Sequence, residues 1–183
     1  MNSFFLSLWM NETLAAAAIL LIGIATPNAG PPPEDRLVGE SVECLAKNMY
    51  YEARSQGTAG QLAVSAVVLN RVNDSRFPNS VCEVIFQGPT KESWRKNGTF
   101  YPIRNKCQFS WYCDGLSDEP KNDKVWKKAL DLSKLIMHNS IQFVDITDGA
   151  THYHADYVKP SWAKTKKRTT EIGDHIFYRW EKK

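Results

Sequence analysis

The sequence predicts an α+β domain with helices first and a short antiparallel sheet late in the chain. Three observations carry this. Helix-period apolar patterns with capping residues fill 41–86 and return at 123–138. Short runs rich in β-branched and aromatic residues come only later, after residue 141. The chain has 183 residues, 43% of them hydrophobic and 23% charged, which is the size and composition of one folded domain and excludes a disordered or collagen-like chain.

In chain order, Ser41 is placed to cap a helix running to about Arg54. Val42, Leu45, Ala46, Met49 and Ala53 fall at its apolar spacings, and Gln56-Gly57 ends it. Residues 59–72 read as a second helix, nearly all Ala, Val and Leu on its inner side, and so as the buried central helix of a small domain. Asn73-Asp74-Ser75 is a turn. Asn79 or Ser80 caps a short helix to Phe86, stopped by Gly88-Pro89. Residues 88–122 read as irregular, rich in Gly, Pro, Asn and aromatics; loops of that length are often functional. Asp123 caps a helix through about His138, with Val125, Trp126, Ala129, Leu132, Ser133 and Ile136 on one side. Residues 142–146, 151–155 and 175–180 read as strands.

The first 30 residues form a separate object. Residues 14–25, LAAAAILLIGIA, are twelve consecutive apolar residues, the length of a signal-peptide core and short of the roughly 20 that span a bilayer. A helix begun near Phe4 would place Asn11 and Glu12 in lipid. The segment 1–30 is therefore read as a signal or signal-anchor, with membrane contact through it. Pro31, Pro32 and Pro33 open a linker over 31–40, and the remaining domain is 41–183. The formal net charge is +3, too mild to imply a nucleic-acid partner, and all 23 Lys and Arg lie after residue 30. The last 25 residues are basic, which suits either a solvated face or a partner with diffuse negative charge.

Cys44, Cys82, Cys107 and Cys113 follow the apolar segment. An exported chain permits disulfides, and four cysteines allow three pairings. Cys107 and Cys113 are close enough to close a small loop, and their spacing is not that of a zinc knuckle. At least one disulfide is expected.

Glu52, in MYYEAR, is the first candidate for chemistry. Apolar Met49 and Ala53 lie on roughly its side of the helix. A carboxyl at the edge of a core is held protonated to higher pH and can act as a general acid. Tyr50 and Tyr51 offer faces for sugars, in a chain that is 11% aromatic with six Trp. The plainer reading of Glu52 is a solvent-facing residue paired with Arg54 or Lys47. His152, His154 and Asp156 share one face of a strand, with Tyr153 and Ala155 on the other. They read either as polar groups beside a catalytic residue, as structural histidines, or as part of a metal site that His138 or His175 could join. Cys107 or Cys113 with His152 or His154 would suit a thiol peptidase, against which stands oxidation in an exported chain. Ser65 lacks a nucleophile elbow.

The ordered motifs CLAKNMYYEARSQGTAGQLAVSAVVLNRV (44–72), RFPNSVCEVIFQG (76–88), CQFSWYCDG (107–115), GATHYHADYVKPSWA (149–163) and the closing IGDHIFYR (172–179) resemble the cell wall hydrolase family typified by spore-cortex lytic enzymes. The resemblance covers about 41–180. It implies a small lysozyme- or transglycosylase-like domain with peptidoglycan as substrate. The implied cut falls at the MurNAc–GlcNAc β-1,4 bond, by lytic transglycosylation rather than hydrolysis. It maps the family's acid onto Glu52, and Tyr51, Arg54, Gln108, Phe109, Ser110, Trp111, His152, Tyr153 and His154 onto the cleft. No cofactor or metal is implied. The histidine-rich THYHADYV departs from spore-type members and favours a bacteriophage lysis enzyme or a Gram-negative wall-remodelling enzyme. An exported, periplasmic or envelope location follows. The residues leave water attack open, with Asp114, Asp118, Asp148 or Asp156 as a second carboxylate. A metal- or thiol-dependent peptidase and a non-catalytic wall-binding protein are the alternatives.

Overall fold

A computed structural model describes residues 33–181. The expected signal or anchor segment lies outside them. Among the described residues no helix is long and apolar enough to cross a membrane.

Helix α1 spans Pro33–Ala53, α2 Gly57–Val72, α3 Val81–Ile85 and α4 Asp123–Met137. Strands β1 (Thr90–Glu92) and β2 (Phe100–Pro102) form a hairpin. Strands β3 (His152–Ala155), β4 (Lys167–Ile172) and β5 (His175–Arg179) form an antiparallel sheet in the order β3-β5-β4. Two 3-10 turns, Ser110–Cys113 and Ser161–Thr165, complete the elements. Helices early and a small antiparallel sheet late is the predicted α+β class.

Helix α1 packs against α2, α3 and α4. Leu45, Ala46, Met49 and Ala53 on α1 are fully buried, at the predicted spacings. Each large apolar side chain so buried stabilises the fold by about 1.5–3 kcal/mol. Helix α2 is buried as expected and joins two clusters. Val68 belongs to the helical core, whereas Ala63 and Val67 pack with Ala150 and with Phe177 of β5. The disulfide Cys44–Cys82 ties α1 to α3, and Cys107–Cys113 closes the loop ahead of the cleft.

Several local expectations are corrected. Helix α1 begins at Pro33, so most of the stretch read as linker is helical and Ser41 lies inside the helix. A proline suits the first turn, where its missing N–H would have no helical acceptor. Asn122, not Asp123, caps α4 by accepting from Val125 N at 3.1 Å. Ser80 caps α3 as expected: it accepts from Glu83 N and donates to the Glu83 carboxylate. Residues 142–146 form no strand. Asp145 there accepts from Thr147 N, Gly149 N and Asn70 Nδ2, which fixes a loop instead. Residues 88–122 contain the β1–β2 hairpin, and the basic tail contains β4. Strand β4 is an exposed edge, where charged residues are favoured over an apolar pattern.

Candidate active site

Glu52 lies on the last turn of α1. The chain then reverses at Gly57, whose φ of +67° favours glycine. Gln56 fixes this corner to the far end of the sheet. Its Nε2 donates to Asp174 Oδ2 at 2.6 Å, and Asp174 N donates to its Oε1 at 2.8 Å. The β4–β5 turn at Gly173 has φ +59°, and a Cβ there would lie 2.0 Å from Gln56 Oε1, so only glycine fits the clasp.

Strand β3 brings Tyr153 to Glu52. The phenol donates to Glu52 Oε2 at 2.7 Å. In the β3–β5 register Tyr153 lies opposite Phe177, and its ring meets His175 edge-on with centroids 4.9 Å apart. Burial raises the pKa of Glu52 above the ordinary carboxylate value; the Tyr153 hydrogen bond and the Arg71 charge partly oppose that rise. Burial, reinforced by the Glu52 charge, pushes the Tyr153 phenol well above its usual value. Tyr153 is thus a fixed donor, not an ionising group, and Glu52 is a carboxyl poised to hold a proton. Lys47 pairs with Glu43, which leaves the plain ion-pair reading of Glu52 without that partner.

Arg71, on α2, lies behind this pair with 4% exposure. Its Nε donates to Thr151 O at 2.7 Å, and its guanidinium sits over the rings of Phe77 and Phe109, at 5.2 and 5.3 Å. Among the described residues Nη1 is buried without a hydrogen-bond partner. Burial lowers the Arg71 pKa to about 10, and Tyr153 and Glu52 counter it. A buried cation here favours the ionised form of Glu52 once its proton has left.

Glu52 and the nine residues that the family resemblance places around it line one cleft of about 920 Å³. On one side Tyr51 stacks on Trp111, with centroids 4.8 Å apart and planes 16° apart. Trp111 Nε1 donates to Asn48 Oδ1, and Tyr51 O–H to Ser117 O. Phe109 is 2% exposed and acts as floor under Arg71 more than as open wall. Across the cleft Trp162, from the second 3-10 turn, packs against His152 and His154 at 5.4 and 5.6 Å. Burial first, then the charges of Arg71, Lys166 and Arg76, lower the His152 pKa to about 3, so its ring is neutral. His154 Nδ1 donates to the Ala155 carbonyl at 2.8 Å, and its Nε2 lies 3.0 Å from the Tyr178 hydroxyl.

The metal reading of the histidines is not assembled. Asp156 lies beyond β3, and among the described residues no group of three His, Cys, Asp or Glu converges. The thiol reading loses its nucleophile, since all four cysteines are in disulfides. Of the carboxylates weighed as a second group, Asp114 and Asp118 line the cleft. Asp148 instead pairs with Arg179. Sequence reasoning missed Arg71 and Trp162. The signal for Arg71 was a lone cation in a helix otherwise reading as buried. Trp162 had no local signal, because it is the return of the chain after β3 that brings it over the histidines.

Comparison with known proteins adds three findings. A family model described as Cell Wall Hydrolase matches residues 55–178, starting just after Glu52. The spore cortex-lytic enzymes of Oceanobacillus iheyensis and Bacillus subtilis are each 30% identical over 137 residues, 74% of this chain; those residues make up 40% and 36% of the two enzymes. The chain thus spans about two fifths of the length of the curated relatives it matches. Among solved structures, the catalytic domain of the Bacillus cereus SleB protein superposes with a TM-score of 0.54 and 27% identity, covering 84% of this chain and 94% of that domain. The catalytic domain of the germination-specific lytic transglycosylase SleB from Bacillus anthracis gives 0.53 and 28%, covering 84% and 100%.

Proposed function

Because the chain belongs to the Cell Wall Hydrolase family, we propose that it cleaves the MurNAc–GlcNAc β-1,4 bond of peptidoglycan by lytic transglycosylation, with Glu52 as acid and then base. The observation that carries this is the 2.7 Å hydrogen bond from Tyr153 to a carboxyl whose pKa is raised, at an aromatic-walled cleft. Similarity to the lytic transglycosylase domain from Bacillus anthracis supports it.

The steps use one carboxyl. Neutral Glu52 gives its proton to the glycosidic oxygen as the bond from that oxygen to the muramyl C1 breaks, and GlcNAc leaves with a free 4-hydroxyl. Positive charge develops at C1 and the ring oxygen. The Glu52 carboxylate, held by Tyr153 and favoured by Arg71, takes the proton of the muramyl C6 hydroxyl. The C6 oxygen closes on C1, leaving a 1,6-anhydro end and a neutral Glu52. Tyr51, backed by the buried Trp111, offers a face on which a sugar ring can stack. Arg54, Gln108, Ser110, His152 and His154 supply polar edges, and Phe109 the floor. The enzyme acts outside the cytoplasm, where two disulfides are stable, and segment 1–30 exports or tethers it.

Digestion of purified peptidoglycan by the wild type and by Glu52→Gln, with products read by mass spectrometry, tests the proposal. Anhydro-muropeptides that vanish in the variant are expected. Reducing muramyl ends would show water attack, with Asp114 or Asp118 as the second carboxylate. Intact glycans with new free amino groups would overturn the glycosidic reading. Binding of intact peptidoglycan with no product would leave only a wall-binding protein.

A further inference from the structure

Away from the cleft, the β1–β2 hairpin exposes an unusual set of side chains. Trp94, in the connecting loop, is 87% exposed, Phe100 60% and Tyr101 48%. Single exposed aromatics are ordinary, but three on one short ribbon are not. Their arrangement is informative. Tyr101 lies opposite Lys91 and Phe100 opposite Glu92, so the two aromatic rings fall on opposite faces of the ribbon, with Trp94 in the turn between the strands. A partner that docked on one face would leave the other ring in water. An environment that surrounds the ribbon would take all three.

The turn satisfies most of its own N–H groups. Ser93 N donates to Thr99 O, and Thr99 N to Lys96 O. The Ser93 hydroxyl oxygen accepts from Arg95 N and Lys96 N, and the Glu92 carboxylate from Gly98 N at 2.7 Å. Five N–H groups of the turn therefore keep their acceptors when bulk water is removed, which lowers the cost of seating it among headgroups. Lys91, Arg95 and Lys96 outnumber Glu92, and the Arg95 guanidinium lies 4.4 Å from the Trp94 ring centroid. Trp and Tyr favour the headgroup level of a bilayer, and Lys and Arg keep their charges at its anionic surface.

We propose that the β1–β2 hairpin is a membrane-interface anchor that seats Trp94, Phe100 and Tyr101 in the headgroup region of an anionic bilayer. This contact is distinct from segment 1–30 and does not depend on the reaction assigned to Glu52. It holds the domain at the lipid surface by its own fold.

Hydrogen exchange over residues 90–102 of the full chain, with and without vesicles, reads the hairpin separately from any other attachment. The probes are vesicles of phosphatidylglycerol with phosphatidylcholine, and of phosphatidylcholine alone. Exchange over 90–102 should slow with the anionic vesicles. Trp94→Ser combined with Phe100→Ser and Tyr101→Ser should abolish that slowing, while turnover of soluble glycan fragments is unchanged. Lys91→Gln, Arg95→Gln and Lys96→Gln together should weaken the hairpin's contribution to vesicle binding on the order of a hundredfold. Exchange that vesicles leave unchanged overturns the proposal. So does slowing by peptidoglycan sacculi alone, which would make the hairpin a glycan contact. Slowing already present without lipid would show that another part of this chain covers the hairpin, and would overturn it too.

Discussion

Tyr153→Phe removes one oxygen atom from the proposed catalytic pair and leaves the ring against His175 and Phe177. The lost bond is a 2.7 Å hydrogen bond to a carboxylate oxygen. Hydrogen bonds to charged groups contribute about 1.5–3 kcal/mol. Since about 1.4 kcal/mol corresponds to one pKa unit, the Glu52 pKa should rise further, by roughly 1–2 units. The sign follows from what the bond favours: the phenol donates to the ionised carboxyl, so losing it makes the proton harder to remove. The assay is kcat/KM on soluble peptidoglycan fragments across pH 4–9. Its falling alkaline limb reports loss of the acid's proton. That limb should move to higher pH by about 1–2 units in the variant. Turnover on the acid side should fall, because a weaker acid gives its proton to the glycosidic oxygen less readily. Tyr153 itself ionises well above this range, so the limb cannot belong to the phenol. A limb that stays in place, or moves to lower pH, in a folded variant would refute the role given to this hydrogen bond.

Three further outcomes follow from the same site and its frame. The folded-state pKa of Glu52 is raised, so its contribution to stability is complete below the ordinary carboxylate range and is lost as pH rises through the raised value. Melting temperatures should therefore fall in the wild type relative to Glu52→Gln across that window, and converge on the acid side. His152 is the reverse case: its pKa is lowered from 6.5 to about 3, so the stability it contributes is present above 6.5 and is lost as pH falls toward 3. His152→Gln should flatten that acid-side loss in thermal melts, and the wild-type ring should show no titration by NMR between pH 8 and 5. Replacing Cys44 and Cys82 with Ser opens a crosslink spanning 38 residues. Chain entropy puts the cost at about 4 kcal/mol, read from urea unfolding. Opening the Cys107–Cys113 loop should cost about 2 kcal/mol.

Much of this site was legible in the sequence because its parts sit in compact motifs. Beside Met49 and Ala53, Glu52 stands out as a candidate, though its plainer local reading is a solvent-facing residue; the family likeness maps the acid onto it and adds the cleft residues. Helix α2 and the Ser80 cap are local signals, and they were read correctly. What the sequence hid is what depends on distant contacts. Strand β4 carries charges because it is an edge, so its pattern resembles a solvated tail. Residues 142–146 have strand-like composition, yet Asp145 gathers their neighbouring N–H groups into a loop. The histidines drew attention as a cluster, whereas the residue between them, Tyr153, is the one that reaches Glu52. Alternation along β3 makes this inevitable: the face that carries the histidines meets Trp162, and the other face meets α1.

The strand order β3-β5-β4 also bears on what holds Tyr153 against Glu52. The two residues are 101 positions apart, and among the described residues β3 pairs only with β5. Without residues 175–179 in place, β3 has no strand to pair with, and Glu52 would stand on α1 without its tyrosine. The pair is thus a sensor of the whole domain's folding: loosening β5 at a distance from the cleft would part it while α1 stays intact.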